Sequence, residues 1–188
     1  KRSSALFVNF GGPSRLTSLR VRGMPSMEPG EVVVSSIIAI ATDYADTLHH
    51  MNRILQPATM LKPAAAYAHG IEVSGAESWV FTSGVVPNRA DGTVPADLGE
   101  QAAVVWANIS AILAEAQLSV RDIVSITTYV VESAEERAQG GELGSRLAVV
   151  MAARDAVLQG HLAASTLVTV PALARPEWRM EISVVAAR

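Results

Sequence analysis

The stretch DLGEQAAVVWANISAILAEAQLSVRDIVSITTYVV, residues 97–131, places a helix pattern directly before a strand pattern. In its first part apolar side chains recur at steps of three and four residues, which is typical of one face of an α-helix. They are Ala103, Trp106, Ile109, Leu113 and Ala116. Asp97 stands where an N-cap would, so we predict a helix over 97–117. The following DIVSITTYVV, residues 122–131, is rich in β-branched residues and predicts a strand.

Helix and strand patterns also occur on both sides of this stretch and predict an ordered series of secondary-structure elements. A second helix is predicted over residues 144–159, after a polar loop at 132–142. Four further strands are predicted at 67–75, 79–87, 165–170 and 180–186, the first two joined as a hairpin through a turn at Gly75. The order β-β-α-β-α-β-β favours an α+β layer with both helices on one face of a mixed sheet.

The N-terminal third has a different organisation. LTSLRVR (16–22) and EVVVSSIIAIA (31–41) predict two strands around a turn that contains two prolines. DYADTLHHMNRIL (43–55) predicts a short helix, which the prolines at positions 57 and 63 would end. We therefore expect three parts: a segment at 1–42, a helical linker at 43–62 and a domain at 63–188.

Composition excludes several classes of function. The net charge of −3 argues against binding to nucleic acid, which needs a basic excess. There is no cysteine, and the four histidines show no metal-ligand spacing, so we predict no metal and no cofactor. The longest apolar run is too short to cross a bilayer, and no signal peptide is evident. We expect a soluble, cytoplasmic protein that does not bind membranes.

Several stretches between residues 63 and 188 follow one another in a characteristic order and spacing, namely YAHGIEV, VFTSGVVP, NISAILAEA, SVRDIVSITTYV and STLVTVPALARPEWRMEIS. In these stretches the domain resembles the Rid (YjgF-type) family of small trimeric proteins. It implies a chorismate-mutase-like fold, in which a six-stranded sheet is backed by two helices. It also implies a homotrimer, or a pseudo-trimer if the chain holds two units, with clefts for a small carboxylated metabolite between subunits.

The resemblance further implies a reaction, the hydrolysis of a reactive enamine or imine to a 2-oxo acid and ammonia. In the catalytic branch of the family, an arginine in a Pro-Ala-Arg-like motif binds the substrate carboxylate and a glutamate assists water. The motif position reads Ala163-Ala164-Ser165 here, so serine replaces the arginine. Glu181 matches the glutamate, and Tyr67 and Ser83 match positions that line the cleft. Arg175 is expected to be a surface residue.

The N-terminal segment resembles the closing strands of a second Rid unit. Pro13-Ser14-Arg15 matches the Pro-Ala-Arg-like motif, so Arg15 is predicted as a carboxylate anchor. An interface arginine paired with an acidic residue is the alternative. The matching glutamate falls on Glu31 if the spacing from the arginine is kept and on Ser36 if the strand ends are aligned. Three arrangements stay open: a shortened tandem protein, strands that extend a sheet, or a partner chain that completes the unit.

Two main functional hypotheses follow from these residues. The first is an enamine/imine deaminase-like hydrolase with Arg15 and Glu181 as catalytic residues and with Tyr67, Ser83, Ser165 and Glu31 as substrate-binding residues. The second is a non-catalytic or divergent protein that binds a small ligand or serves in assembly, consistent with Ser165. A specialised hydrolase or tautomerase with other anchors is a less favoured third hypothesis.

Overall fold

The computed structural model describes residues 52–140 and 143–188. Its strands, in chain order, are β1 (Arg53–Leu55), β2 (Gly70–Glu72), β3 (Trp79–Phe81), β4 (Ile123–Val131), β5 (Ala164–Val170) and β6 (Met180–Ala187). Its helices are α1 (Leu98–Glu115), α2 (Ala134–Ala138) and α3 (Leu143–Leu158), and a 3₁₀ turn at Val120–Asp122 precedes β4. The predicted α+β class, with a mixed sheet, is confirmed.

The six strands form two ladders. β3, β6, β4 and β5 lie side by side in that order, and β1 pairs with β2 in a separate two-stranded ladder. β4 and β5 are parallel, which requires a long crossover, and α2 and α3 supply it. A single parallel bridge between Ala68 and Ala164 connects the segment before β2 to the free edge of β5.

The predicted hairpin between the first two strands of the domain is wrong. β2 pairs with β1, whereas β3 pairs with β6 more than one hundred residues later. Strand composition indicates that a segment is extended but not which strand it will meet, and β6 offers β3 a long and mostly buried partner. The turn at Gly75 is present, with a φ of 68°.

One face of the four-stranded sheet carries the core. Alternate residues of β6 (Met180, Ile182, Val184 and Ala186) are each at most 2% exposed. They pack with buried residues of α1 and α3, among them Trp106, Ile109 and Val150. Both long helices therefore lie on one face of the sheet, and the opposite face is not covered by any described helix.

The prediction for α1 is largely confirmed. The Glu100 N–H donates to the Asp97 side chain at 2.9 Å, so Asp97 is the N-cap. Trp106, Ile109 and Leu113 are buried as expected. Ala103 is exposed and its neighbour Ala102 is buried, because the buried face is centred one residue earlier at this end of the helix.

The polar loop predicted at 132–142 contains the short helix α2, which the sequence analysis missed. Ser133 and Glu136 form a reciprocal capping box, a pattern that the letters SAEE already contain. The Glu136 carboxylate also accepts hydrogen bonds from Arg146 of α3, at 2.9 Å, and from Arg179 just before β6. These contacts lower the pKa of Glu136 to about 2, with the Arg179 hydrogen bond as the largest cause.

Several N-terminal predictions lie outside the described residues, namely the segment 1–42 and residues 43–51 of the helical linker at 43–62. Within the described part, residues 53–55 form strand β1 where a helix was predicted. None of the described helices is both long enough and apolar enough to span a membrane.

We expect Glu136 to stabilise the fold in a pH-dependent way. Its folded-state pKa lies below the ordinary value of 4.5, so its contribution is present above pH 4.5 and is lost as the pH falls towards 2. The side chain is 30% exposed, which limits the effect to about 1 kcal/mol. Urea unfolding of wild type and Glu136→Gln should differ by this amount at pH 6, and the difference should shrink by pH 2.5. The exposed Glu135→Gln in the same helix is the control, and a pH-independent difference would contradict the assignment.

Candidate functional site

The alternation of β6 decides where Glu181 lies. Met180 and Ile182 face the helices, so the intervening Glu181 faces the uncovered side of the sheet. There it stands opposite Tyr129 of β4 in the strand register. The Glu181 carboxylate forms no ion pair with any described residue. The carboxylate is half-buried and is available to a ligand or to water.

The loop after β3 brings a second predicted residue to this place. Val85 and Ile182 exchange two backbone hydrogen bonds, of 2.7 and 3.1 Å, which fix the loop against β6. Gly84 then lies directly on the Glu181 side chain, because a Cβ built there would overlap the Oε1 and Cδ atoms. Ser83 is the preceding residue and is exposed. The structure therefore places Ser83 one residue from the glycine that contacts Glu181, and Gly84 itself is not singled out by any sequence motif.

A groove of about 650 Å³ runs between this loop and α1. Its walls are formed by Phe81, Thr82, Ser83, Gly84, Val85, Val86, Asn88, Asn108, Ala111 and Ile112, and Glu181 is not among them. Ser83 and Gly84 therefore lie between the groove and the Glu181 carboxylate. The polar groups that line it are hydroxyls and amides, and none of its lining residues is charged. The N–H groups of Ser83 and Gly84 donate no hydrogen bond to the described backbone, so they are free to bind a ligand.

A buried and a half-buried amide side chain, Gln101 and Asn88, hold the loops around the groove in place. The Gln101 side chain, 1% exposed, donates to the carbonyls of Pro95 and Glu177 and accepts from the Arg179 N–H. It thereby fixes the chain just before β6. Asn88 accepts a hydrogen bond from the Trp178 indole at 2.9 Å, and its carbonyl accepts one from Asn108. Neither residue was predicted, since a buried amide in a helix or a loop has no distinct sequence pattern.

Tyr67 and Ser165 lie at the other edge of the sheet. The Ala68 N–H donates to the carbonyl of Ala163 at 2.9 Å, which places Tyr67 beside the start of β5. Ser165 is in register with Ile126, a core residue, so it faces the helix side of the sheet. The Tyr67 ring meets His69 edge to face, with 6.0 Å between centroids.

One chain does not bring the four described site residues together. Ser165 and Glu181 belong to strands on either side of β4 and point to opposite faces. Ser165 and Val184 both pair with Ile126, and Val184 is three residues from Glu181 along β6. Standard strand spacings then put the Cα atoms of Ser165 and Glu181 at a separation of roughly 14 Å. The site residues thus form two groups: Ser83 with Glu181, and Tyr67 with Ser165.

The remaining site predictions are placed as follows. Arg15, Glu31 and the alternative Ser36 lie outside the described residues. Arg175 is exposed, lies over the Trp178 ring and pairs with Glu177 at 3.6 Å, as expected of a surface residue. Among the described residues no group of three or more acidic or histidine side chains could hold a metal ion.

Comparison with known proteins gives a consistent result. The family model described as Endoribonuclease L-PSP matches residues 57–188. A curated relative, the putative reactive intermediate deaminase TdcF of Escherichia coli K12, is 32% identical over 83 residues. That alignment covers 44% of this chain and 62% of the relative, so the chain spans less than two thirds of TdcF.

Solved structures extend the likeness over the whole domain. A protein of unknown function of the conserved Rid family, YyfB from Yersinia pestis, superposes with a TM-score of 0.60 and 29% identity. It covers 73% of this chain, and 98% of its own length is matched. E. coli TdcF with bound serine gives a TM-score of 0.50 and 25% identity, covering 72% of this chain and 98% of its own. Because the family model matches residues 57–188, most of the chain, and a solved Rid protein superposes over nearly its whole length, this chain belongs to the Rid/YjgF family, also described as Endoribonuclease L-PSP.

Proposed function

We propose that this protein hydrolyses small, reactive enamines or imines to 2-oxo acids and ammonia. The observation that carries the proposal is the Glu181 carboxylate, which lies on Gly84 beside Ser83 on the uncovered face of the sheet. A carboxylate without a cationic partner can accept a proton from water, and the neighbouring hydroxyl and N–H groups can orient a polar substrate. The reaction is proposed to take place in the cytoplasm.

The chemistry requires little of the protein beyond positioning. An enamine takes up a proton from solvent at carbon to become an iminium ion, whose carbon is already electrophilic. Glu181 would take a proton from water as the water oxygen bonds to that carbon, giving a carbinolamine, and would then return this proton to the nitrogen. The protonated nitrogen leaves as ammonia, and the hydroxyl releases its proton to solvent as the C=O bond of the 2-oxo acid forms. No cofactor or metal is needed to balance these steps.

Names of relatives support this class of substrate. TdcF is described as a putative reactive intermediate deaminase, and one of its structures holds serine, a small amino acid. We do not extend the ribonuclease in the family's description to this chain. The groove has no cationic lining residue, and the net charge of −3 is unfavourable for RNA.

The proposal includes assembly into a homotrimer. The two groups of site residues lie at different edges of one sheet, so a symmetric neighbour could bring one group to the other. The uncovered sheet face carries apolar side chains that a neighbour would bury, including Trp79, Phe81 and Val168, which are 48%, 72% and 38% exposed. Trp79 and Phe81 stack on each other at 6.1 Å, which makes a preformed apolar surface.

A second candidate is binding without catalysis, and one observation favours it. Ser165 replaces the arginine of the family motif, and the groove offers no described cation for a substrate carboxylate. In this case the Ser83 and Gly84 N–H groups would hold a small ligand, and Glu181 would take no part in proton transfer.

One assay distinguishes catalysis from binding without catalysis. With 2-aminoacrylate generated from serine by a dehydratase, wild type should accelerate pyruvate release. Glu181→Gln should lower the catalysed rate by about 100-fold, since it removes the proton acceptor. Gly84→Ala should lower it less, because the added Cβ displaces the carboxylate. Glu177→Gln, at an exposed position in the loop before β6, should leave the rate unchanged. A silent wild type would reject catalysis and leave the binding candidate.

Arg15 is proposed as the anchor of the substrate carboxylate. Replacing it with glutamine should raise KM at least tenfold, because a charge-assisted pair with the carboxylate is lost. The control is Arg175→Gln, which should leave KM unchanged. If Arg15→Gln behaves as wild type, the residue is not the anchor, and the backbone donors at Ser83 and Gly84 become the remaining candidates.

Light scattering coupled to size exclusion tests the assembly. We expect a mass three times the 19.8 kDa of the chain. Val168→Lys should lower this mass, because it places a charge on the uncovered sheet face. Val149→Lys, at a similarly exposed valine of α3, should not lower it. A monomer in wild type would contradict the proposed trimer without bearing on the fold.

A further inference from the structure

A second cavity, of about 310 Å³, lies away from the groove. It is lined by Asn52, Ile54, Ile71, Arg121, Ile123, Gly160, His161 and Leu162. None of these residues lines the groove. Ile123 is six residues before Tyr129 on β4, so the cavity is roughly 20 Å along the strand from Glu181. The 3₁₀ turn before β4, the β1–β2 ladder and the loop between α3 and β5 meet here.

Four of the eight lining residues are aliphatic, and we call them the aliphatic wall: Ile54, Ile71, Ile123 and Leu162. Ile54 and Ile71 are paired in register across β1 and β2, so they point to the same side of that ladder. Ile54 is 45% exposed although it is a large apolar residue, whereas Ile123 is fully buried. An apolar ligand would therefore remove aliphatic surface from water.

The polar groups of the cavity favour an anion. Arg121 is exposed and forms no ion pair with any carboxylate in the described part of the chain. The adjacent Asp122 is occupied, because its carboxylate accepts from the N–H and hydroxyl of Ser119. Glu72 pairs with Arg53 on the opposite face of the β1–β2 ladder. The lining thus holds a cation and no acidic side chain.

His161 adds a second polar group with a defined tautomer. Its Nε2 lies 2.7 Å from the carbonyl oxygen of Ile123. A carbonyl can only accept a hydrogen bond, so Nε2 carries the proton in this contact. Nδ1 takes no part in that hydrogen bond. The contact also fixes the ring between the cavity and the first residue of β4.

We propose that this cavity is a second binding site, which takes a small monocarboxylate with a branched aliphatic chain. The carboxylate pairs with Arg121, and the chain contacts the aliphatic wall. A guanidinium can pair bidentately with a carboxylate, and the aliphatic wall favours an apolar chain over a second charged group, so a ligand with one carboxylate and one branched chain uses both parts of the lining. The volume lies at the lower end of the range for small-molecule sites, which fits a ligand of this size.

The test uses the full 188-residue chain with 4-methylpentanoate as the probe and the uncharged 4-methylpentanamide as its partner. Calorimetry should detect the acid, and Arg121→Gln should weaken its binding at least tenfold, since a charge-assisted hydrogen bond is lost. Ile54→Glu should weaken binding as well, because it sets a negative charge at an exposed position on the aliphatic wall. Arg175→Gln removes a surface arginine elsewhere and should leave the affinity unchanged.

Isoleucine methyl NMR locates the probe. The methyl signals of Ile54, Ile71 and Ile123 should shift on titration, whereas that of Ile112, which lines the groove, should not. The proposal is overturned if the acid does not bind, if the amide binds equally well, or if Ile112 shifts in place of the three cavity isoleucines. Equal loss in Arg121→Gln and Arg175→Gln would indicate general attraction to surface charge and would also overturn it. The result is independent of the deaminase assay, which reports on a different part of the domain.

Discussion

The strict alternation of side chains along β6 is the constraint on which the site depends. Four buried residues of this strand pack against α1 and α3, and a slip of one residue would expose all of them and bury Glu181. The cost of such a slip is several buried aliphatic side chains, each worth about 1.5–3 kcal/mol. Core packing, which has no direct part in the proposed reaction, therefore determines which face presents the carboxylate.

Polar contacts at the start of β6 support the same register. Gln101 binds the carbonyl of Glu177 and the N–H of Arg179, and Arg179 in turn binds Glu136 of α2. A buried amide that left these groups unpaired would destabilise the fold, so the loop before β6 has little freedom to shift. α1, α2 and the loop before β6 are thus connected through a few hydrogen bonds, and Glu181 follows two residues after the last of them.

Much of the fold could be predicted from the sequence because helix periodicity, capping residues and β-branched composition are all local features of the chain. The stripe of Trp106, Ile109 and Leu113 and the Asp97 cap gave α1 within two residues at its ends. β4 and β6 were recognised from β-branched composition. The pairing of β3 with β6 was missed, since strand partners are chosen by burial across the whole sheet. The short helix α2 was missed although its capping box was legible, because five residues carry little periodicity.

The candidate site was predicted only in part. Family-like motifs identified Ser83 and Glu181, and the structure brings them together through Gly84. The same motifs identified Tyr67 and Ser165, which lie at another edge and, for Ser165, on another face.

The sequence by itself determined the two long helices and most of the strands, the absence of cysteine from these 188 residues, the family resemblance and the serine at the position of the motif arginine. Each of these depends on residue type and short-range spacing. Tertiary structure alone decided which strands pair, that Gly84 must lack a side chain to admit the Glu181 carboxylate, and that Arg121 and His161 share a cavity with aliphatic residues from β1 and β2. These are contacts between segments far apart in the chain, and they exist only once burial of the apolar faces has fixed how the segments pack.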